Sequence, residues 1–270
     1  MATSNIIKLA VRTGAPALAI VGILATGGVG MARQASPADQ QPERSVAPVP
    51  YGPGERAGYQ VKLGGIGVGS GSMEIHGIES IHGHPTYHAT LTVSGGVLFA
   101  RVDDRFDTWI DVEGLFSRRF KQNQRELNFR RNRTYDFYPE SRSYRRLDNG
   151  EVGRLPTEAP LDDVSFLYYA RTLPLEVGDV YTIPRYFKED GNPVVIKVLR
   201  RETITVPAGT FRTVVVQPVI KTDGLFGEGG RAEVFFTDDD RRILVQMTSR
   251  VPVVGSLSLH LREYRAGATP

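Results

Sequence analysis

One stretch limits the fold of this chain more than any other. Pro160-Leu161-Asp162-Asp163-Val164-Ser165-Phe166-Leu167-Tyr168-Tyr169-Ala170-Arg171-Thr172-Leu173-Pro174 is the one segment after the N-terminal leader that reads as a helix. Asp162 or Asp163 can accept the orphan N–H groups of a first turn, and both carboxylates sit at the positive end of the helix dipole. Pro174 closes the far end, because it lacks an N–H and disfavours helix at the residue before it. Val164, Leu167, Tyr168 and Arg171 share one face, and Phe166, Tyr169, Ala170 and Leu173 the opposite one. Only a stripe with Ser165 and Thr172 is polar, and a helix apolar nearly all round is a buried helix. The expected fold is mostly β: an antiparallel curled sheet, forming an incomplete barrel or sandwich, wrapped on one central helix at about residues 162–173.

The rest of the mature chain alternates as strands do. Tyr59, Val61 and Leu63 share one parity, and the glycines from Gly64 to Gly71 suggest a bend or bulge. Met73 and Ile75 alternate with Glu74 and His76, His82-Gly83-His84-Pro85 turns the chain, and alternation resumes from Tyr87 to Val93. Further hairpins are expected through Pro139-Glu140-Ser141, through Pro207-Ala208-Gly209 and through Asp238-Asp239-Asp240-Arg241. Ten or more short strands at this spacing argue for a sandwich or a curled barrel.

The N-terminus reads as an address. Lys8 and Arg12 precede an uncharged run from Thr13 to Ala32, with no acidic residue before Asp39. Residues 1–32 are therefore expected to be a secretory signal peptide, the alternative being an uncleaved anchor. Residues 33–58, rich in Pro, Gly, Gln and Ser, read as a disordered linker; 59–265 as a single β-rich domain; and 266–270 as a tail. The expected location is outside the cytoplasm, the periplasm first, or the inner membrane if the leader persists. The absence of cysteine excludes lipid attachment through a thiol, disulfides and thiolate metal sites.

Three blocks carry a resemblance. Asp163-x-Ser165-x-Leu167-Tyr168-Tyr169-x-Arg171-x-Leu173-Pro174-Leu175-x-x-Gly178 resembles the central block of the uncharacterised exported bacterial family called domain of unknown function 3108. Pro207-Ala208-Gly209-Thr210-Phe211-x-Thr213 and Asp239-Asp240-x-Arg242-Ile243-x-Val245 follow in the same order, and the opening Tyr59–Gly69 fits too. The resemblance implies an exported, mostly antiparallel β domain. It brings no activity, cofactor or catalytic residue with it.

Arg171 stands first among candidate site residues, since a guanidinium on an apolar helix must be paired. Either a strand carboxylate holds it, with Asp111, Asp179, Glu202 or Glu233 as candidates, or it clamps an anionic ligand with Tyr168 and Tyr169 as walls. Arg118, Arg119, Arg130, Arg131, Arg133, Arg145 and Arg146 crowd one segment, interleaved with aromatics. They are read either as a solvated outer face that blunts edge pairing or as a surface for anionic lipid headgroups. His82, His84 and His88 have a spacing that could hold zinc or copper, but Gly83 and Pro85 favour a plain solvated turn. Gly65-Ile66-Gly67-Val68-Gly69 lacks the following helix that a phosphate loop needs.

No nucleophile motif is present and no cofactor is expected. A net charge of +3 does not point to nucleic acid. The expected function is that of a non-catalytic exported envelope domain binding an apolar or amphipathic molecule between sheet and helix. The alternative is a structural or assembly protein with a filled core and no ligand. Membrane proximity fits either reading, and nothing in the sequence fixes the oligomeric state.

Overall fold

Alternating sequence and tight turns produce one long antiparallel sheet. The computed structural model describes residues 49–97, 100–126, 129–220, 232–251 and 255–268; the expected leader and the spacer up to residue 48 lie outside the described residues. Eight strands form a first meander: β1 (Arg56–Leu63), β2 (Ile66–Ile81), β3 (His84–Val97), β4 (Ala100–Asp111), β5 (Ser117–Glu126), β6 (Phe129–Tyr138), β7 (Ser143–Arg146) and β8 (Val152–Arg154). The helix α1 (Asp163–Ala170) follows. Six more strands form the second meander: β9 (Val180–Ile183), β10 (Val194–Val206), β11 (Gly209–Val219), β12 (Glu233–Thr237), β13 (Leu244–Val251) and β14 (Gly255–Arg265).

The two meanders join where β1 pairs with β14, so all fourteen strands lie in one sheet with β8 and β9 at its ends. The sheet is not closed into a barrel. Two-residue loops make the tight hairpins. Gly64-Gly65 and His82-Gly83 both have positive φ at each position, the backbone that a right-twisted hairpin demands. The register of β1 against β2 slips between Val61 and Lys62, so the glycine-rich opening is a bulge as expected. The three other expected hairpins also form, between β6 and β7, β10 and β11, and β12 and β13.

The helix is shorter than the expected span of 162–173. Asp162 is its N-cap, accepting from the N–H groups of Val164 and Ser165, while the Ser165 hydroxyl accepts from the Asp162 N–H. This reciprocal box fixes the start. At the other end Arg171, Thr172 and Leu173 each donate three residues back, so the chain tightens out of the α-helix well before Pro174. Every helical residue but Tyr169 is buried.

Aromatic side chains fill the space beside the helix. Tyr51 lies edge-on to both Tyr168 and Tyr87, at 5.0 and 5.9 Å between ring centres. Phe187, from the loop after β9, packs on Phe120, Tyr135 and Phe137 at 5.3–5.9 Å. Residues of the second meander thus sit on β5 and β6 of the first.

The expected boundary at residue 59 is too late. Val49, Tyr51, Glu55 and Ala57 are buried, and β1 already begins at Arg56. Gly54 donates to Ile75 O at 2.7 Å and Ile75 donates to Glu55 O at 2.9 Å, so this Pro- and Gly-rich segment has its backbone satisfied without any periodic pattern. The C-terminal tail is tied to the same segment, with Ala268 donating to Pro53 O at 2.8 Å.

Candidate functional site

Arg171 lies just past the helix end, and its partner is a residue that pattern reasoning did not select. Its Nη1 donates to Glu55 Oε1 at 2.6 Å and its Nη2 to Glu55 Oε2 at 3.0 Å, a two-pronged pair. Nη2 also reaches the carbonyl oxygens of Pro50 and Arg241, each at 3.0 Å. The Tyr264 hydroxyl donates to Glu55 Oε2 at 3.1 Å. The guanidinium lies over the rings of Tyr51 and Tyr168, 5.2 and 5.6 Å from their centres. Burial alone would push Arg171 toward neutrality, but the hydrogen bonds and charge of Glu55 more than reverse this and hold it cationic. One side chain thereby links the helix end, the lead-in to β1, β14 and the β12–β13 turn.

The four carboxylates considered from sequence do other work. Asp111 takes Arg118, Asp179 accepts from Tyr181, and Glu202 and Glu233 both pair with Arg200. Glu55 escapes pattern reading because it sits between Gly54 and the first strand, in a segment that looks like spacer. The one available signal is that it is the sole acidic residue between Glu43 and Glu74.

The expected clamp residues do not line one cavity. Tyr168 is 1% exposed, and its hydroxyl has no partner among the described residues. Tyr169 turns the other way, beneath the guanidinium of Arg185 at 4.6 Å. Arg185 itself donates to the carbonyls of Ala159, Gly114 and Leu115, which ties the helix lead-in to the β4–β5 turn. A shallow polar groove of about 480 Å³ lies elsewhere, at the β7–β8 margin, between Glu140, Arg142, Arg154 and Glu158.

At the helix start, a buried hydroxyl network surrounds Asp162. Thr108 and Ser117 donate to its Oδ2, and the Ser117 and Ser165 hydroxyl oxygens lie 2.7 Å apart. Tyr186 donates to Asp163 Oδ1 at 2.8 Å. Burial pushes the Asp163 carboxyl up to about 6, and the Tyr186 hydrogen bond offsets this only in part. This buried network ties the helix start to β4 and β5 through Thr108 and Ser117.

The arginine-rich segment divides. Arg118 is buried between Asp111 and Glu140. Arg119 grips Asp136 with both prongs, and Arg146 pairs with Asp148 and Glu151. Arg130 and Arg145 are exposed, while Arg131 and Arg133 are half-buried. The seven arginines therefore do not share one face, for a plain reason. Alternation along a strand sends neighbouring side chains to opposite faces, and three of the seven are consumed by ion pairs.

The histidines also part company. His82 faces Asp136 at 3.1 Å from the β2–β3 turn, and His84 is exposed at the start of β3. His88 lies between Glu79 Oε1 at 2.9 Å and Asp107 Oδ1 at 3.1 Å, stacked on Trp109 at 4.5 Å. Burial pushes His88 down, but its hydrogen bonds to Asp107 and Glu79 together carry it above its ordinary value. Asp107 is held well below the usual carboxylate range despite its burial, by His88 and Arg105. Among the described residues no three His, Asp or Glu side chains converge as a metal site would require.

Comparison with known proteins matches this architecture to a family and to a fold. The model of the family described as "Protein of unknown function (DUF3108)" matches residues 58–262. No curated protein matches the chain. Among solved structures, a β-barrel-like protein of the domain of unknown function DUF1849 from Brucella abortus aligns with a TM-score of 0.50 and 12% identity, covering 81% of this chain and all of that one. A candidate exported protein with a YmcC-like fold from Bacteroides fragilis aligns at 0.31 and 12%, covering 81% of this chain and 98% of that one. A candidate lipoprotein from Parabacteroides distasonis aligns at 0.30 and 11%, covering 81% and 99%. The Brucella protein shows a shared fold alone, and the other two are too distant to carry an argument.

Proposed function

As the chain belongs to the DUF3108 family of proteins of unknown function, which assigns no activity, we propose from its own geometry that it is a non-catalytic scaffold domain of the cell envelope. In this reading the sheet curls about α1, and the helix is a keystone and not the lid of a ligand cleft. The observation that carries it is the Arg171–Glu55 pair. A clamp for a ligand needs a guanidinium with free prongs facing a cavity, and both prongs of Arg171 are taken up by Glu55 and two backbone carbonyls. The aromatic filling around Tyr51, Tyr168 and Phe187 supports the same conclusion, because a bound apolar molecule would have to displace it. The leader sequence supports export, and the periplasm is the location it fits best.

The test compares Arg171→Met, Glu55→Met and the double variant, reading urea melts and any lipid that co-purifies by mass spectrometry. A scaffold role predicts that each single change costs about 3–5 kcal/mol and that the double change costs less than the sum, since a lone buried charge is the expensive state. Unchanged melts together with loss of a co-purifying lipid would overturn the scaffold reading in favour of a ligand clamp.

A further inference from the structure

Strand register sorts the arginines of β5 and β6 onto two faces. Gln122 opposes Arg133 and Gln124 opposes Arg131, on the face that also carries buried Phe120 and Tyr135. Arg125 opposes Arg130 on the outward face, where both are exposed. Two rows then cross the core-facing side. One runs Arg133, Gln122, Phe106, Leu91 and Met73; the other runs Arg131, Gln124, Asp104, Val93 and Gly71. Each begins with a cation and an amide; the first then passes to apolar side chains, the second through the buried Asp104 carboxylate to Val93 and bare backbone.

The second row is reachable in a way that the helix flank is not, because Arg131, Gln124, Val93 and Gly71 are all only half-buried. Beside it the pair Gly69 and Gly95 leaves a floor that side chains cannot occupy. A Cβ on Gly69 would stand 2.0 Å from Ser94 O, and one on Gly95 would stand 2.5 Å from Val68 O. Gln122 supplies an independent sign of a missing polar partner: it is 4% exposed, and one end of its amide is unpaired among the described residues. The polar contacts here include Arg131 Nη1 to Gln124 Oε1 at 3.4 Å, Gln124 Nε2 to Asp104 Oδ2 at 3.5 Å, and Arg125 N to Asp104 Oδ1 at 3.1 Å. Arg131 and Lys188 also act electrostatically on Asp163, so the positive field extends toward the helix start.

We propose that these rows form a site for an acyl-chain amphiphile with an anionic phosphate head. Arg131 and Arg133 take the phosphate through charge-assisted hydrogen bonds, the free end of the Gln122 amide meets a head-group hydroxyl, and the chain lies over Val93, Gly71 and the Gly69–Gly95 floor. The site is separate from the filled space at Arg171, so a scaffold role for the helix and a ligand on this face coexist.

Calorimetric titration of the full chain with 1-palmitoyl lysophosphatidylglycerol, below its micelle threshold, tests this. Stoichiometric binding is expected, weakened about tenfold or more by Arg133→Gln and unchanged by Arg125→Gln with Arg130→Gln, which removes twice as much charge from the opposite face. Lysophosphatidylcholine should bind about tenfold more weakly, and inorganic phosphate alone should not saturate the site. Arg133 enters no ion pair among the described residues, so its loss should spare the fold. If its melt nonetheless shifts, Val93→Trp serves instead, abolishing binding by filling the floor. No binding by the unaltered chain, equal weakening by the outward pair, equal affinity for the choline head, or saturation by phosphate alone would each overturn the proposal.

Discussion

Asp163→Asn should make this protein more stable at neutral pH and leave it unchanged in acid. The Asp163 carboxyl is 3% exposed and held near pH 6, against an ordinary value of 3.8, because burial disfavours its charged form. At about 1.36 kcal/mol per pH unit, ionising it inside the fold costs about 3 kcal/mol. The folded-state pKa is raised, so the stability associated with the neutral carboxyl is fully present below about pH 3.8 and lost as pH rises through about 6. Asparagine has no proton to lose, and its Oδ1 can still accept the Tyr186 hydroxyl that now stands 2.8 Å from Asp163. Losing a carboxylate from the first helical turn returns about 0.3–1 kcal/mol of dipole stabilisation, so the net gain at pH 7.5 should be about 2–3 kcal/mol. Urea melts at pH 3.5 and 7.5 measure it, and thermal melts should shift by about 2–4 °C per kcal/mol. Equal differences at both pH values, or a variant less stable at pH 7.5, would refute the reasoning.

Two shorter predictions follow from the same packing. Leu167→Ala, at a helix position 1% exposed, should cost about 2–5 kcal/mol through lost burial and the cavity left behind, and a denaturant melt showing less than about 0.5 kcal/mol would demote the helix to a peripheral cover. His88 gains from Glu79 and Asp107 when charged, so its contribution is complete below about pH 6.5 and fades as pH rises through its elevated folded pKa. His88→Gln should therefore flatten the stability profile above pH 6.5, and an unaltered slope in chemical melts would contradict that.

Much of the architecture was open to inspection in the sequence, because it is written in local signals. Alternation at Tyr87–Val93, the paired positive-φ turn at His82-Gly83 and the Asp162/Ser165 cap each depend on residues a few positions apart. The site was harder because its determinants are not local. Arg171 could be recognised as needing a partner, but Glu55 lies 116 positions away in a segment with no period, where only tertiary packing gives it meaning. The arginines of β5 and β6 looked like one basic block until register assigned Arg131 and Arg133 to one face and Arg125 and Arg130 to the other. A slip of one residue would have exchanged the two sets.

The pairing of β1 with β14 fixes the order in which this sheet can be completed. Within each meander a strand finds its neighbour after at most 13 intervening residues, but β1 must wait for a partner about 200 residues further along the chain. Closing a loop of that length costs about 5 kcal/mol of chain entropy before any ladder bond repays it. While the chain is being made, the β1 edge with Tyr59 and Val61 stands as an open template for strand addition. A circular permutant that joins the region after Arg265 to that before Val49, and opens the chain between Arg154 and Pro160, would turn this slowest step into a hairpin. It should fold faster to the same sheet, and it would place the new chain ends beside the helix.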